Sequence, residues 1–347
     1  MDRYVRYAAL TGYAELARSV GLDPVRLMAD VGLDAADLAD RDKWVPAVPV
    51  ARLLERSAAE SGCEDFGVRL SGRRRLSALG PLSVVLREEP DLRSGLELLI
   101  RYERAYNGIL DLRLLEADGL ATLQVWLDFG AAVPVRQSTD LTVANLVGVM
   151  RSLVRADWQP LAVVLAHGPP ADQSLFRQVF GPGVRFGQPF NGVVIAAQDL
   201  ELPTVTADPG LRAYTRRLLE TVPTPRPLTT AEQVRSTVEV LLPTGRCSLG
   251  HVSRALHVPP RTLHRHLAEE GESFSAIVHA TRAQWAERYL ANDAYSLTQI
   301  THLLGFAAPS AFSVWFRSHF GTTATEWRRR THPTPTPSPE SGVGDRG

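Results

Sequence analysis

The sequence has little cysteine, almost no lysine and no long hydrophobic run. Its two cysteines, Cys63 and Cys247, form neither a disulfide framework nor a Cys-x-x-Cys metal clip. No stretch of about 18 apolar residues occurs, and residues 1–20 carry charges throughout, so we expect neither a membrane span nor a secretory signal. These absences predict a cytoplasmic protein.

The charge distribution differs between the two ends of the chain. Lysine occurs once, at Lys43, and the strong preference for arginine is most simply explained by GC-rich coding DNA. A single arginine is therefore weak evidence of function. Residues 1–220 hold 25 basic and 28 acidic residues, whereas residues 221–347 hold 13 and 10, together with eight of the nine histidines. The basic C-terminal part favours a polyanionic partner.

Composition and two biased segments predict the domain organisation. The 347 residues are enough for two domains, and the 44% apolar and 22% charged content is typical of globular proteins. Residues 221–230, TVPTPRPLTT, predict an interdomain linker. Residues 331–347 are rich in Pro, Ser, Thr and Gly and predict a disordered tail. We therefore predict an N-terminal domain at 1–220 and a C-terminal domain at 231–330.

Helical and strand-like patterns alternate in the N-terminal part. Helical patterns fall at 2–20, 47–61, 90–107, 137–157, 172–180 and 208–220. The alternating runs ILDLRLLEA and LATLQVWLDF flank Asp118-Gly119 and predict a β-hairpin within 109–129. Further strands are predicted at 161–167 and 192–197. The pattern favours an α+β domain, with helices around a small antiparallel sheet.

Two segments of the C-terminal part repeat one arrangement, a short helix followed by a tight turn and a second helix. In 246–271, Leu263 and Leu267 mark the buried side of the second helix, while Arg261, His264 and Arg265 share the opposite side. A helix that buries apolar residues on one side and presents hydrogen-bond donors such as arginine guanidinium groups on the other is suited to the DNA major groove. An isolated helix of this kind is more often a solvated surface helix, but the repetition favours DNA binding.

The second segment, 296–321, follows the same logic. Leu297, Ile300, Leu303 and Leu304 predict the supporting helix, and Gly305 permits the turn. The next helix buries Phe312, Trp315, Phe316 and Phe320 and presents Ser310, Ser313, Val314 and Arg317 on the opposite side. A long helix is predicted at 274–292, with Ile277, Ala280, Trp285 and Tyr289 among its apolar positions. Two recognition helices joined in this way reach successive major-groove segments about 34 Å apart.

These segments resemble the AraC/XylS family of bacterial transcriptional regulators. PPRTLHRHLAEEGESF is similar to the family's first recognition helix and the turn after it. TRAQWAERYLANDAYSLTQITHLLGFAAPSAFSVWFRSHFGTTATEWRR is similar to its most diagnostic region. Residues 79–107, LGPLSVVLREEPDLRSGLELLIRYERAYN, also resemble the arabinose-binding-type ligand domain of one branch. The resemblance implies an α+β sensor domain followed by an all-α domain with two helix-turn-helix units that bind double-stranded DNA.

The resemblance also assigns positions that face DNA. They are Arg261, Thr262, His264 and Arg265 in the first unit, and Ser310, Ser313, Val314 and Arg317 in the second. The family usually has Arg at the position of Val314, a small residue at that of Trp315 and Pro at that of Ala324. Without a donor at 314, the second unit offers only an apolar contact there, for instance to a thymine methyl. We therefore expect the first unit to supply most hydrogen-bonded specificity, and the second mostly position and affinity.

Signals for catalysis or metal binding are weak, and no cofactor is expected. Asp65-Phe66-Gly67 matches a kinase tripeptide without its companion motifs, and GPGVRFG (181–187) is better explained as a loop. Cys247 and His251 could share a helical face as metal ligands, but no second pair accompanies them. His167 is the only histidine before the linker, which argues against a histidine-based catalytic or metal site in the N-terminal domain.

The sequence predicts the effector and the oligomeric state less specifically than the residues that face DNA. Arg101, Tyr102 and Tyr106 on the helix before the hairpin, and Trp126 in its second strand, are candidates for lining an effector pocket. An amphipathic helix covering a sheet would give the same pattern. We expect an unidentified small-molecule effector, a homodimer formed through the sensor domain, contact with RNA polymerase, and location at the nucleoid when DNA is bound. The rival hypothesis is an enzyme or small-molecule carrier whose C-terminal helices form a protein-interaction module.

Overall fold

The chain divides into two compact units, Met1–Pro227 and Leu228–Gly347. The computed structural model describes residues 3–131, 133–205, 207–208, 210–212, 214–215, 229–245, 247–256, 258–290 and 295–331. Residues 221–228 of the predicted linker and residues 332–347 of the predicted tail lie outside the described residues. The boundaries of the linker and the tail therefore stay a prediction.

The N-terminal unit contains two sheets. The strands are β1 (Tyr4–Arg6), β2 (Trp44–Pro46), β3 (Leu110–Ala117), β4 (Leu120–Leu127), β5 (Ala162–Val164), β6 (Val184–Arg185) and β7 (Asn191–Ala196). β1 pairs with β2, and the other five form a sheet in the order β3-β4-β7-β5-β6. The predicted hairpin is confirmed as β3 and β4, and positive φ angles at Asp118 (52°) and Gly119 (77°) fit its two-residue turn.

One feature of the larger sheet contradicts the sequence-based expectation. The sheet was expected to be antiparallel, but β5 and β6 pair in parallel. A helix joins these two strands, and such a crossover returns the chain in the same direction. The segment GPGVRFG, predicted as a loop, contains β6. The predicted α+β class is confirmed.

The helices of the N-terminal unit surround these sheets. They are α1 (Tyr13–Ser19), α2 (Pro24–Asp30), α3 (Ala47–Ser61), α4 (Phe66–Ser71), α5 (Pro81–Arg87), α6 (Leu92–Tyr106), α7 (Arg136–Leu153) and α8 (Ser174–Phe180). The prediction of a helix throughout 2–20 is wrong at its start, because β1 pairs with a distant strand. Gly12 at φ +80° then separates α1 from the preceding 3-10 turn. Residues 210–212 and 214–215 of the helix predicted at 208–220 are helical.

The core of the N-terminal unit lies between α6, α7 and one face of the larger sheet. Leu96 of α6, Val147 and Met150 of α7 and Leu123 of β4 are almost completely buried in one cluster. A second cluster joins α1 to α4 and includes Tyr13 and Phe66. The two long helices α6 and α7 thus share a buried face close to the N-terminal segment.

The described part of the C-terminal unit is helical, as the sequence predicts. Its helices are α9 (Thr230–Leu241), α10 (Leu249–Ala255), α11 (Pro260–Glu269), α12 (Phe274–Leu290), α13 (Leu297–Leu303), α14 (Pro309–Phe320) and α15 (Ala324–Thr331). In α12, Ile277, Trp285 and Tyr289 are buried as predicted, but Ala280 is exposed. Among the described helices, none is long and apolar enough to cross a membrane.

Candidate nucleic-acid interface and ligand cavity

The first helix-turn-helix unit consists of α10 and α11. Ser248 caps α10, since its hydroxyl accepts a hydrogen bond from the His251 N–H at 3.3 Å. Pro260 occupies the first position of α11, where a missing N–H costs no intrahelical hydrogen bond. Leu263 and Leu267 are buried together with residues of α9, α10 and α12. This packing fixes which side of α11 faces outward.

The outward side of α11 carries the predicted basic residues. Arg261, His264 and Arg265 are exposed, and their spacing of three and four places them on one face. Thr262 is half-buried beside them. The carboxylate nearest Arg265 belongs to Glu269, at 3.7 Å, and both side chains are about two-thirds exposed, so solvent screens this pair. The face therefore presents two guanidinium groups and an imidazole in positions suited to base edges or phosphates.

The second unit consists of α13 and α14, and its turn depends on Gly305. Ser296 and Gln299 form a reciprocal capping box at the start of α13. Gly305 follows at φ +68°, and a Cβ built on it would lie 2.4 Å from the Leu242 carbonyl oxygen. Both the backbone angle and the close approach require glycine. The turn is thereby packed directly against the chain that follows α9.

Trp315 joins α14 to the neighbouring elements. It is half-buried, and its indole N–H donates to His279 Nδ1 of α12 at 3.1 Å. Its ring lies 5.3 Å from that of Phe306 and stacks on His319 at 5.6 Å. Phe312 and Phe316 on the same helix are buried. The tryptophan at a position where the resemblance leads one to expect a small residue therefore anchors α14.

The outward side of α14 is poorer in donors than that of α11. Ser310, Ser313, Val314 and Arg317 are all exposed, as predicted. The Ser313 hydroxyl already donates to the Pro309 carbonyl oxygen at 2.9 Å. Val314 is 71% exposed and offers two methyl groups. Arg317 is thus the only charged side chain among these four positions.

The third departure from the family pattern is Ala324, where the family usually has proline. The helix α15 begins normally without that proline. Ala324 is the first residue of α15, and the Thr323 hydroxyl accepts the Glu326 N–H at 3.2 Å. The Glu326 carboxylate accepts the Thr323 N–H at 3.1 Å in return. The Thr323 N–H, together with the hydroxyls of Thr322 and Thr323 that also donate to this carboxylate, lowers the pKa of Glu326 to about 2. A capping box begins the helix, so a proline at its first position is not needed.

The N-terminal unit contains a cavity of about 100 Å³ beside α6 and α7. Its apolar wall includes Val5, Leu79, Leu82, Leu99, Leu110, Leu146 and Val149. Its polar lining comes from Arg6, Arg74, Glu103, Tyr106, Asn107, Thr142 and Asn145. An apolar chamber with a few converging polar groups is the usual form of a small-molecule site.

The cavity contains one of the four predicted effector residues. Tyr106 lines it, whereas Arg101, Tyr102 and Trp126 do not. Arg101 is exposed, and Tyr102 packs half-buried against the core. Trp126 lies on β4, with the Arg113 guanidinium 5.8 Å from its ring centre. The structure therefore does not bring the four side chains together.

Sequence reasoning missed the other polar residues of the cavity. Arg6, Arg74, Glu103 and Asn145 come from four separate parts of the chain, and no spacing pattern connects them. Arg74 also stands between Arg73 and Arg75, so in an arginine-rich sequence it carries no signal of its own.

The two histidine sites considered from the sequence are engaged in internal contacts. His167 Nε2 lies 2.7 Å from Asp140 Oδ1, and Nδ1 lies 2.8 Å from the Gly168 carbonyl oxygen. His251 Nδ1 lies 2.7 Å from the Ser248 hydroxyl. Within the described residues, no three His, Cys, Asp or Glu side chains gather as metal ligands.

Comparisons with known proteins connect both units to one family. Residues 21–204 match the family model described as the arabinose-binding domain of AraC transcription regulator, N-terminal. Residues 252–330 match a helix-turn-helix domain model, which includes α11 and α14.

Known regulators also match along most of the chain. The HTH-type transcriptional regulator VirS of Mycobacterium tuberculosis is 30% identical over 327 residues, covering 93% of this chain and 96% of VirS. The ornithine utilization regulator of Pseudomonas aeruginosa is 27% identical over 316 residues, covering 87% of this chain and 93% of that protein. The crystal structure of CdpR from Pseudomonas aeruginosa aligns with 88% of this chain and 97% of its own at 18% identity and a TM-score of 0.41. The two domain matches and the similarity to VirS show that the chain belongs to the AraC family of transcription regulators, in the branch with an arabinose-binding-type N-terminal domain.

Proposed function

We propose that the chain is a ligand-responsive transcription regulator in which the first helix-turn-helix unit supplies most of the base readout. The supporting observation is the contrast between the outward faces of α11 and α14. α11 presents Arg261, His264 and Arg265, whereas α14 presents Val314 and a Ser313 hydroxyl that is already bonded within its own helix. A bidentate arginine–guanine contact discriminates by about 1–3 kcal/mol.

The second unit positions the protein on DNA. Arg317 is exposed on its face and suits a phosphate, which contributes affinity without sequence information. Val314 suits a thymine methyl group. The rigid attachment of α14 through Trp315 and His279 holds this face in a fixed orientation. The two units therefore divide affinity and specificity unequally between them.

The division can be tested with one alanine variant in each unit. Arg265→Ala is expected to weaken binding to the cognate site by about 1–3 kcal/mol, because it removes a forked donor. Ser313→Ala is expected to cost less, because its hydroxyl already has a partner. Quantitative footprinting measures both, with the exposed Arg177→Ala of α8 as a matched control that should leave DNA affinity unchanged. The opposite order of the two losses would refute the division.

The N-terminal unit supplies the ligand response in this proposal. Its match to an arabinose-binding domain and the cavity beside α6 and α7 both support a small-molecule effector. The ornithine utilization regulator is a relative whose name refers to a small amino acid. We further propose a homodimer formed through this unit, contact with RNA polymerase at the promoter, and a cytoplasmic location at the nucleoid. Dimerisation would bring two DNA-binding units to adjacent sites and raise the effective affinity.

The rival hypothesis makes a different prediction. If the C-terminal helices formed only a protein-interaction module of an enzyme or carrier, the protein would bind no promoter fragment even at low salt. A regulator should instead bind such fragments with an affinity that falls steeply as salt is added, since phosphate contacts release counterions. The membership of the chain in a family of transcription regulators favours the second outcome.

A further inference from the structure

We propose that the cavity of the N-terminal unit binds a small organic acid, whose carboxylate pairs with the Arg74 guanidinium. This inference rests on the proposed ligand-responsive function and narrows its effector to one chemical class. The evidence is that Arg6 and Glu103 on the cavity wall have hydrogen-bond partners, whereas Arg74 has none among the described residues.

Arg74 has no counter-ion among the residues that the structure describes. Its Nε atom is shielded from solvent and has no hydrogen-bond partner. No ion pair or hydrogen bond from its side chain occurs within the part of the chain that the structure describes. Burial, together with the neighbouring charge of Arg6, lowers the pKa of Arg74 to about 10, so the group stays charged near neutral pH. The Arg74 side chain is half-buried, and leaving its shielded Nε without a partner is costly, so an anion that enters the cavity would offset this cost.

Arg6 differs from Arg74 because its own side chain is fully engaged. One terminal nitrogen lies 2.6 Å from Asp42 Oδ1, and the other donates to the Ala78 carbonyl oxygen at 3.2 Å. Its guanidinium also lies 4.5 Å from the ring centre of Tyr106. Asp42 therefore compensates the charge of Arg6, and the uncompensated positive charge at the cavity belongs to Arg74.

The acid on the cavity wall is also engaged. Glu103 Oε2 accepts the Leu112 N–H at 2.8 Å, which holds this carboxylate toward β3. Thr142 donates its hydroxyl to the Ser138 carbonyl oxygen at 2.8 Å. The Asn145 amide is a further polar group on the wall. Among the described residues, the Tyr106 hydroxyl on the same wall also lacks a hydrogen-bond partner. A ligand would thus meet the Arg74 guanidinium, the Asn145 amide and the Tyr106 hydroxyl.

The apolar part of the cavity wall limits the size and polarity of the rest of the ligand. Leu82, Leu99, Leu146 and Val149 form an apolar surface suited to a short hydrocarbon portion. A cavity of about 100 Å³ is somewhat smaller than an engineered cavity of roughly 150 Å³ that holds benzene. A planar carboxylate fits the fork of one arginine, whereas a phosphate carries more charge and needs more donors than this wall supplies. The favoured ligand is therefore a monocarboxylic acid of benzene size or smaller.

The direct test uses calorimetric titration of the full-length protein with four acids and their amides. The acids are acetate, propionate, lactate and butyrate, each compared with the neutral amide of the same shape, and inorganic phosphate is titrated separately. At least one acid is expected to bind with a dissociation constant of about 1 mM, a reasonable limit for so small a ligand. Its amide should bind about 10- to 100-fold more weakly, because the charge-assisted pair is lost. Equal binding of acid and amide, tighter binding of phosphate, or no binding of any acid at about 10 mM would overturn the proposal.

Variants then locate the site. Arg74→Gln is expected to reduce acid binding about 10- to 100-fold, while the exposed neighbouring Arg75→Gln leaves it unchanged. Arg74→Gln should also raise the melting temperature of the ligand-free protein, because it removes a half-buried charge whose shielded Nε has no partner, and this shift shows that the variant is folded. Acid binding that survives Arg74→Gln, or that is lost equally in Arg75→Gln, would contradict the assignment.

The same samples separate this inference from the proposed function. DNA binding is measured by footprinting on the cognate site without added acid. Specific DNA binding without acid binding would refute the cavity assignment and leave the regulator intact. Acid binding that depends on Arg74 in a protein that binds no DNA would support the site and refute the regulator.

Discussion

At the scale of single residues, Gly305 is the position where the second helix-turn-helix unit tolerates least change. Its φ of +68° disfavours any side chain, and a Cβ would meet the Leu242 carbonyl oxygen at 2.4 Å. Gly305→Ala is therefore expected to lower the free energy of unfolding by about 1–3 kcal/mol from the backbone angle alone, and further through the close contact. Thermal or urea unfolding of the full-length variant measures this loss.

Gly250 provides the matched control for this prediction. It lies within α10 at a negative φ, and a Cβ built there meets no heavy atom within 4 Å. Gly250→Ala should raise the free energy of unfolding by about 0.5–1 kcal/mol, because alanine favours the helix. If both variants changed stability in the same direction, the account of the Gly305 turn would be wrong.

Asp140 is one residue through which the stability of the N-terminal unit depends on pH. It is completely buried in α7, and burial raises the pKa of its carboxyl group against the opposing effect of His167. The folded chain therefore keeps this proton to a higher pH than the unfolded chain. Its stabilising contribution is complete below about pH 4 and is lost as the pH rises through the folded-state pKa. Burial raises the pKa of Glu55 in the same direction.

Asp140→Asn tests this linkage, because it removes the titration and keeps an oxygen facing His167. As the pH rises above about 4, the urea midpoint of the wild type should fall more than that of the variant, with unfolding followed by hydrogen exchange of α7. Asp172→Asn is the control, since hydrogen bonds from Ser174 lower the pKa of this exposed carboxylate and it stays ionised throughout the range. Parallel pH profiles for the wild type and Asp140→Asn would rule out the proposed role of Asp140.

At the scale of elements, α14 is proposed as a recognition helix whose four outward positions carry one charged side chain, Arg317. Val314 is 71% exposed, so an arginine there would meet no steric obstacle. Val314→Arg is expected to add a forked donor and to create discrimination of about 1–3 kcal/mol at one base pair under the second unit. Selection of preferred sites from random DNA would show this new preference.

A variant with the same added charge at another position distinguishes a base contact at position 314 from non-specific electrostatic attraction to DNA. Val25→Arg places the same charge on an exposed position of α2 in the N-terminal unit. It should create no base preference, whereas Val314→Arg should. If neither variant, or both, gained a preference, α14 would not be lying in the groove as proposed.

The elements that the sequence predicts are those determined by local contacts. The β3–β4 hairpin follows from Asp118-Gly119, and the outward face of α11 follows from the spacing of Leu263 and Leu267. β1 was mistaken for helix because its partner strand lies some 40 residues away, beyond any periodic pattern. β6 is two residues long and is defined only by its pairing with β5.

The candidate ligand site was less predictable than the candidate DNA interface for the same physical reason. The residues that face outward from α11 and α14 lie on single helices, so their spacing in the sequence places them. The cavity instead joins Arg6 and Arg74 to side chains of α6 and α7. Only the assembled fold brings these groups together, and only there does the lack of a partner for Arg74 Nε become visible.

At the scale of the whole molecule, the two units have different charge and different tasks in the proposed function. Residues 228–347 carry 12 basic against 10 acidic residues, whereas residues 1–227 carry 26 against 28. A ligand in the N-terminal unit can alter DNA binding only if it favours one conformation of the protein over another. The contact between Arg74 and an acid can therefore change DNA affinity only by the difference in acid-binding free energy between those two conformations.

A base-by-base scan of the operator shows whether the first unit supplies most of the base readout, as proposed. The operator is first located by immunoprecipitation of the protein with its genomic DNA, and each base pair is then changed in turn. The loss of binding free energy of the full-length protein is measured at fixed salt. The proposed division between the two units predicts losses of about 1–3 kcal/mol concentrated in the groove segment that Arg265→Ala renders insensitive, and small losses one helical turn away. Equal losses in both segments, or larger ones under the second unit, would contradict it.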